Sequence, residues 1–247
     1  MSPARRYTIA GPPFAGRTGR GVRIAVVDSG VTAGHPHVGA VQESVRVDAE
    51  TGGTDALDRL GHGTAVAAAI REKAPASDLV SVKVFDRSLT TSADALARAI
   101  TWATDHGAQL INLSLGTATP ERAGLLRAAV DHAVSCGSIV VSARESDGVE
   151  WLPGSLSGVA GVLADRECER EELSFELDAS GGATFRASAY PRPIPGVPRE
   201  RNLSGVSFAV ANVTGFLARL LEGAGAPRTL AEIGALLGGV GAAPPPG

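Results

Sequence analysis

Aromatic side chains are scarce: Phe, Trp and Tyr make up 4% of the 247 residues, so any core must be filled by Ala, Val, Leu and Ile. Two cysteines, Cys136 and Cys168, match no metal-ligand spacing and are too few for a disulfide framework, which predicts two free thiols. No run of 18 apolar residues exists, so no membrane-spanning helix is expected. Basic runs are missing too, apart from the Arg5-Arg6 pair, and the formal net charge is −3. Phosphate binding needs a basic face, so nucleic acid is not the expected partner. The stretch before Gly21 has basic residues but no apolar core, hence no secretory signal, and a cytoplasmic protein is expected.

Glycine and proline are plentiful, 31 and 15 residues, and predict many tight turns. The length suits one large α/β domain. Residues 1–20, rich in Gly, Pro and Arg, read as an N-terminal arm, residues 21–237 as the domain, and residues 238–247 (GGVGAAPPPG) as a flexible tail. Short apolar runs at 22–27, 79–85, 109–114 and 138–142, with a further one at 158–164, read as strands. Near-continuous apolar strands suit a parallel sheet covered on both faces. Helical patterns lie between them at 62–71, 92–106, 119–136 and 207–221, several of them stopped by a glycine. The expected fold is α/β: a doubly wound, mostly parallel sheet with helices on both faces. Functional groups then gather at the carboxyl ends of the strands.

Three local patterns could carry chemistry. Asp28-Ser29-Gly30 closes the first long strand, where Asp28 is either a poised carboxylate or a turn former. Gly61-His62-Gly63-Thr64 opens a helix. A helix N-terminus disfavours imidazolium, so a depressed pKa is expected for His62, as suits a general base; the bland reading is a Gly-rich cap. Gly205-Val206-Ser207-Phe208-Ala209 opens another helix, where Ser207 is either an N-cap or a nucleophile beside amides that can hold an oxyanion.

Together these patterns resemble the subtilase family of subtilisin-like serine proteases, in which the order is also Asp, His, Ser. Val26 to Val31 with His35-Pro36 is similar to the aspartate block, Gly61 to Ala67 to the histidine block, and Gly205 to Ala209 with Val213 and Gly215 to the serine block. Ile111 to Gly116 resembles the substrate-binding strand, and Trp151 to Leu156 the proline-containing segment after the oxyanion residue. The resemblance runs from about Gly21 to Leu221 and implies a serine endopeptidase acting on a peptide or protein substrate. Asp28, His62 and Ser207 would be its triad. Ser114, Leu115 and Gly116 would pair with the substrate as an added strand. No cofactor is implied. Calcium is common in the family, but no local carboxylate cluster demands a metal; Asp48, Glu50, Asp55 and Asp58 read as solvated loop residues.

The pattern breaks where the family holds its oxyanion. An Ala-Ala-Gly-Asn run is replaced by Ser142-Ala143-Arg144-Glu145-Ser146-Asp147-Gly148. Anchored on Gly148, Ser146 takes the Asn position; a one-residue slip would put Glu145 there, a carboxylate with no donor. Losing one such donor costs on the order of 10²–10³ in rate, a magnitude taken from this same family. Val206 stands where the family has Thr, and Ala211 and Asn212 replace its Pro and His. By the family's layout Arg144 and Glu145 border the pocket for the residue before the scissile bond. A buried Glu145 would select a basic side chain there; in the other reading Arg144 and Glu145 pair at the rim.

Two readings remain: a narrow-specificity protease, such as one that trims a precursor peptide, or an impaired domain that binds peptides or a protein partner subunit. The short stretch before Gly21 leaves no room for the family's inhibitory propeptide, which fits a protease restrained by specificity. An unrelated α/β hydrolase or nucleotide-binding domain is disfavoured: Gly-x-Ser-x-Gly is absent, as is Gly-x-Gly-x-x-Gly after a strand.

Overall fold

Strand alternation decides the layering. In the computed structural model, which describes residues 4–47, 55–177 and 182–239, Ile24 and Val26 enter one hydrophobic cluster while Ala25 and Val27 enter another. Ile139 and Val141 part from Val140, and Leu110 from Ile111 and Leu113, in the same way. Successive strand side chains point to opposite faces, so an unbroken apolar run buries both.

In chain order the elements are β1 (Arg5–Thr8), β2 (Arg23–Asp28), β3 (Glu43–Arg46), α1 (His62–Lys73), β4 (Asp78–Lys83), α2 (Ala93–Asp105) and β5 (Leu110–Leu113). There follow α3 (Ala123–Ser135), β6 (Ile139–Ala143), β7 (Glu145–Ser146), β8 (Val149–Glu150) and β9 (Ala160–Asp165). The last are β10 (Glu172–Leu177), β11 (Ala183–Ser188), α4 (Val206–Leu220) and α5 (Leu230–Gly239). Among the described residues one sheet has the order β1-β10-β11-β9-β6-β5-β2-β4-β3. It is parallel from β11 to β3, and only β1 and β10 run antiparallel, at one edge. Residues of α1, α4 and α5 join the first cluster, and those of α2 and α3 the second. The fold is the expected α/β sheet with helices on both faces.

The N-terminal stretch read as an arm is built into the domain. Strand β1 pairs with β10, and Phe14 is fully buried, edge-on to Tyr7 at 6.0 Å and to Phe216 of α4 at 5.1 Å between ring centroids. Burying a phenylalanine side chain gains about 1.5–3 kcal/mol, comparable to the cost of ordering one or two residues. Composition alone missed that anchor. At the other end, Gly238 and Gly239 close α5, and the rest of the expected tail lies outside the described residues, as do Asp48 and Glu50.

Parallel register brings the carboxyl ends of β2, β4, β5 and β6 to one edge: Asp28 stands beside Lys83, Val27 beside Leu113, and Leu113 beside Ser142. Helices α1 and α4 pack against each other, with His62 as the first residue of one and Ser207 as the second residue of the other.

Candidate active site

Asp28 ends β2 with its side chain fully buried. Its Oδ1 accepts from the Ser29 backbone N–H at 2.7 Å. His62 Nδ1 lies 2.8 Å from Asp28 Oδ1 and 3.0 Å from Oδ2. On the other side of the ring, His62 Nε2 lies 3.2 Å from Ser207 Oγ. A carboxylate only accepts, so the neutral imidazole keeps its proton on Nδ1 and turns a lone pair on Nε2 toward the Ser207 hydroxyl. Three side chains 34 and 145 residues apart thus form one hydrogen-bonded chain along which a proton can pass.

The glycines around His62 make the approach feasible. A Cβ on Gly63 would fall 2.1 Å from the Gly30 carbonyl oxygen and 3.1 Å from Asp28 Cβ. Gly61 precedes α1 at φ 75°, in the left-handed region that favours glycine.

The electrostatics reverse the expectation for His62. Burial pushes the imidazole pKa down, but the hydrogen bond and charge of Asp28, with the charge of Asp58 added, outweigh it, and the pKa is raised above its ordinary value. The helix end acts on the ring in the opposite sense but is the weaker influence. A full charge in contact outweighs the half-charge of a helix terminus.

Ser207 is buried at the start of α4, whose N-cap, Gly205, has no side chain to cap the first-turn amides, although the Phe208 N–H donates to the Gly205 carbonyl at 3.1 Å. Ser146 lies in a two-residue hairpin, β7–β8, turned by Asp147 (φ 54°) and Gly148 (φ 78°). Ser146 lines a cleft of about 520 Å³ together with Gly205 and Val206, the two residues before Ser207, and its hydroxyl donates to Asp147 Oδ2 at 3.1 Å. Glu145 lines the same cleft but is exposed, so the burial needed for strong selection of a basic side chain is not met. Arg144 donates to Thr184 Oγ1 at 2.9 Å. Ser114 is buried beyond the end of β5, and Leu115 and Gly116 follow it toward a bridge between Thr117 and Leu152. Among the described residues, no backbone hydrogen bond occupies Leu115 or Gly116.

Sequence reasoning missed several supporting residues. Asn112 on β5 donates to Ser114 Oγ at 2.9 Å and accepts from the Thr214 hydroxyl of α4 at 3.0 Å, which ties α4 to the strand beside it. Asn212, in place of the family's His, donates to the carbonyls of Ser188 and Tyr190 at 3.0 and 3.2 Å. Asp58, read as solvated, is bonded between the Asp28 turn and α1. Its position four residues before His62, at the mouth of a helix with no side chain on its cap, was the available signal. Among the described residues, no three His, Cys, Asp or Glu side chains are placed to hold a metal ion, and no helix is long and apolar enough to cross a membrane.

Comparison with known proteins gives a consistent result. The sequence profile of the Subtilase family matches residues 19–146. The thermostable alkaline protease of Halalkalibacterium halodurans is 31% identical over 220 residues, which cover 81% of this chain and 56% of that protein. Thermitase of Thermoactinomyces vulgaris is 31% identical over 226 residues, covering 81% of this chain and 76% of thermitase. Among solved structures, the prenylagaramide maturation protease PagA superposes with a TM-score of 0.60 at 26% identity, over 81% of this chain and 75% of that one.

Proposed function

This chain belongs to the subtilase family, and from that premise we propose that it is a serine endopeptidase with Asp28, His62 and Ser207 as its catalytic triad. The observation that carries the reading is the His62 ring, which spans the gap between a buried carboxylate at 2.8 Å and a serine hydroxyl at 3.2 Å. As Ser207 Oγ attacks the peptide carbonyl carbon, Nε2 takes its proton, and Asp28 stabilises the imidazolium that forms. The proton then passes to the leaving amine, and water, deprotonated by His62, hydrolyses the acyl-enzyme.

The Ser207 backbone N–H and the α4 terminus supply the first oxyanion donors, and Ser146 is the proposed second. Its hydroxyl must leave Asp147 to serve, so the donor set is weaker than an amide fixed in place. The open backbone of Leu115 and Gly116 is the proposed edge on which an extended substrate pairs. A modest oxyanion hole suits a processing protease with few substrates, and PagA is named as a maturation protease.

A fluorophosphonate probe tests the reading. The folded protein is expected to take up one phosphonyl group, located on Ser207 by mass spectrometry. Folded protein that stays unlabelled would instead support the impaired, partner-binding alternative.

The pH profile provides a second check. His62 acts as base only when neutral, and its pKa is raised chiefly by Asp28 against the effect of burial. The acid limb of kcat/KM, followed over roughly pH 5 to 9, is therefore expected above the ordinary imidazole value of about 6.5. Activity rises as pH climbs through that limb. A limb at or below the ordinary value contradicts the Asp28–His62 pairing.

A further inference from the structure

Asp58 is half-buried, and its two carboxylate oxygens take five donors. Oδ1 accepts from Ser29 Oγ at 2.9 Å and from the backbone N–H groups of Leu60 at 3.0 Å and Gly61 at 2.8 Å. Oδ2 accepts from the Thr64 backbone N–H at 2.9 Å and from Thr64 Oγ1 at 2.5 Å. Ser29 Oγ in turn accepts from the Gly63 backbone N–H at 3.0 Å. These partners come from three places: Ser29 in the turn that begins at Asp28, the Leu60-Gly61 segment that leads into α1, and Thr64 in the first turn of that helix. The carboxylate stands at the joint between them.

The loop that carries Asp58 is itself held. Buried Lys83, at the end of β4, donates to the Leu57 carbonyl at 2.5 Å. Arg59 pairs with Asp55 and, at 3.1 Å, with Asp86. Gly30 lets the loop lie against the Asp28 turn: a Cβ there would meet the Ala56 carbonyl oxygen at 2.5 Å and the Asp58 nitrogen at 3.0 Å. A surface carboxylate has no need of such a seat.

Resting on the triad reading above, we propose that Asp58 is the positioning residue of the general base, clamping the Asp28 turn to the start of α1 so that His62 stays aligned between Asp28 and Ser207. The clamp explains how α1 can begin on a glycine with no side-chain cap of its own. It also adds a second negative charge near the imidazole. The charged and titratable groups around the joint are Asp28 from β2, Asp55 and Arg59 from the loop, Lys83 and Asp86 at the end of β4, Arg46 of β3, which reaches Asp86 at 3.8 Å, and His35, His37 and Arg192, which line a pocket with Gly61 and Thr64. With Asp58 neutral, Asp28 is left to favour imidazolium against burial, and the acid limb moves to lower pH.

The test uses D58N and S29A in the whole chain, with kcat, KM and the pH profile normalised to active sites titrated with a fluorophosphonate. Asparagine keeps the volume but turns an NH₂ group toward donors, so part of the clamp opens. D58N is expected to lose about tenfold in kcat per titrated site, with KM within about twofold and the acid limb displaced downward. S29A keeps the charge and loses one leg of the bridge. Its kcat is expected to fall by about threefold, with the limb unmoved. A D58N enzyme that matches the parent in kcat per site and in limb overturns the proposal. So does a loss that merely tracks the number of titratable sites, because that is a stability effect alone. If D58N does not fold, S29A decides: a lower kcat per site supports the clamp, and an unchanged one overturns it. A parent protein that takes no label defeats the triad reading first, and this inference falls with it.

Discussion

Ser207→Ala is expected to abolish peptide hydrolysis, with kcat lower by about 10⁴-fold or more, in a protein that stays folded. The size of the effect follows from the site. Among the described residues, the Ser207 hydroxyl makes one hydrogen bond, to His62 Nε2, and the helix it starts is capped by Gly205 rather than by the serine side chain. Removing that oxygen costs on the order of 1 kcal/mol of stability or less. The fold therefore survives while the nucleophile is gone, and no other hydroxyl on α4 faces the imidazole in its place. Thr214, the next hydroxyl along the helix, is turned to Asn112. Hydrolysis of a peptide substrate measured beside thermal unfolding separates the two effects. A folded variant that keeps activity within tenfold of the parent would remove Ser207 from the mechanism.

Asp28→Asn is the second large effect, expected at about 10⁴-fold in kcat with the overall geometry retained. In the parent, both Asp28 oxygens are within hydrogen-bond reach of His62 Nδ1, and Oδ1 also takes the Ser29 N–H at 2.7 Å. An asparagine gives its one oxygen to the Ser29 N–H and turns its NH₂ toward Nδ1. The imidazole must then accept at Nδ1 and carry its proton on Nε2. That tautomer points a donor at Ser207 Oγ and can take no proton from it. The side chain is fully buried and nearly isosteric, so circular dichroism should report an intact fold. A loss below about tenfold would mean that the Asp28 contact is incidental. The gap between this variant and the milder D58N separates direct pairing with the base from positioning of the base.

Much of this site was legible before any coordinates. The apolar runs that end at Asp28, Leu113 and Ala143 alternate between two cores, and that alternation fixes a parallel sheet with one functional edge. His62 and Ser207 sit on glycine-bordered helix starts, where local sequence speaks for itself. What was lost depended on partners distant in sequence. Phe14 looked like part of a Gly- and Pro-rich arm because its partners, Tyr7 and Phe216, are not its neighbours in the chain. Strand β10 carries Leu173 and Phe175 inward, but the Glu- and Arg-rich residues around it hid the alternation. Asp147-Gly148 is a hairpin signal in its own right, masked by the likeness of its stretch to the family's oxyanion run. The sign of the His62 shift could not come from sequence at all. It required knowing that a carboxylate stands in contact with the ring and that a second, Asp58, stands nearby.

A crystal structure of the fluorophosphonate adduct tests the central claim most directly. Phosphorus is expected on Ser207 Oγ, with one phosphonyl oxygen directed at the amides that open α4. His62 is expected within hydrogen-bond distance of the adduct, with its other nitrogen still on Asp28. Phosphorus on any other residue, or an imidazole more than about 5 Å from Ser207 Oγ, would contradict the assignment of these three side chains as one proton path.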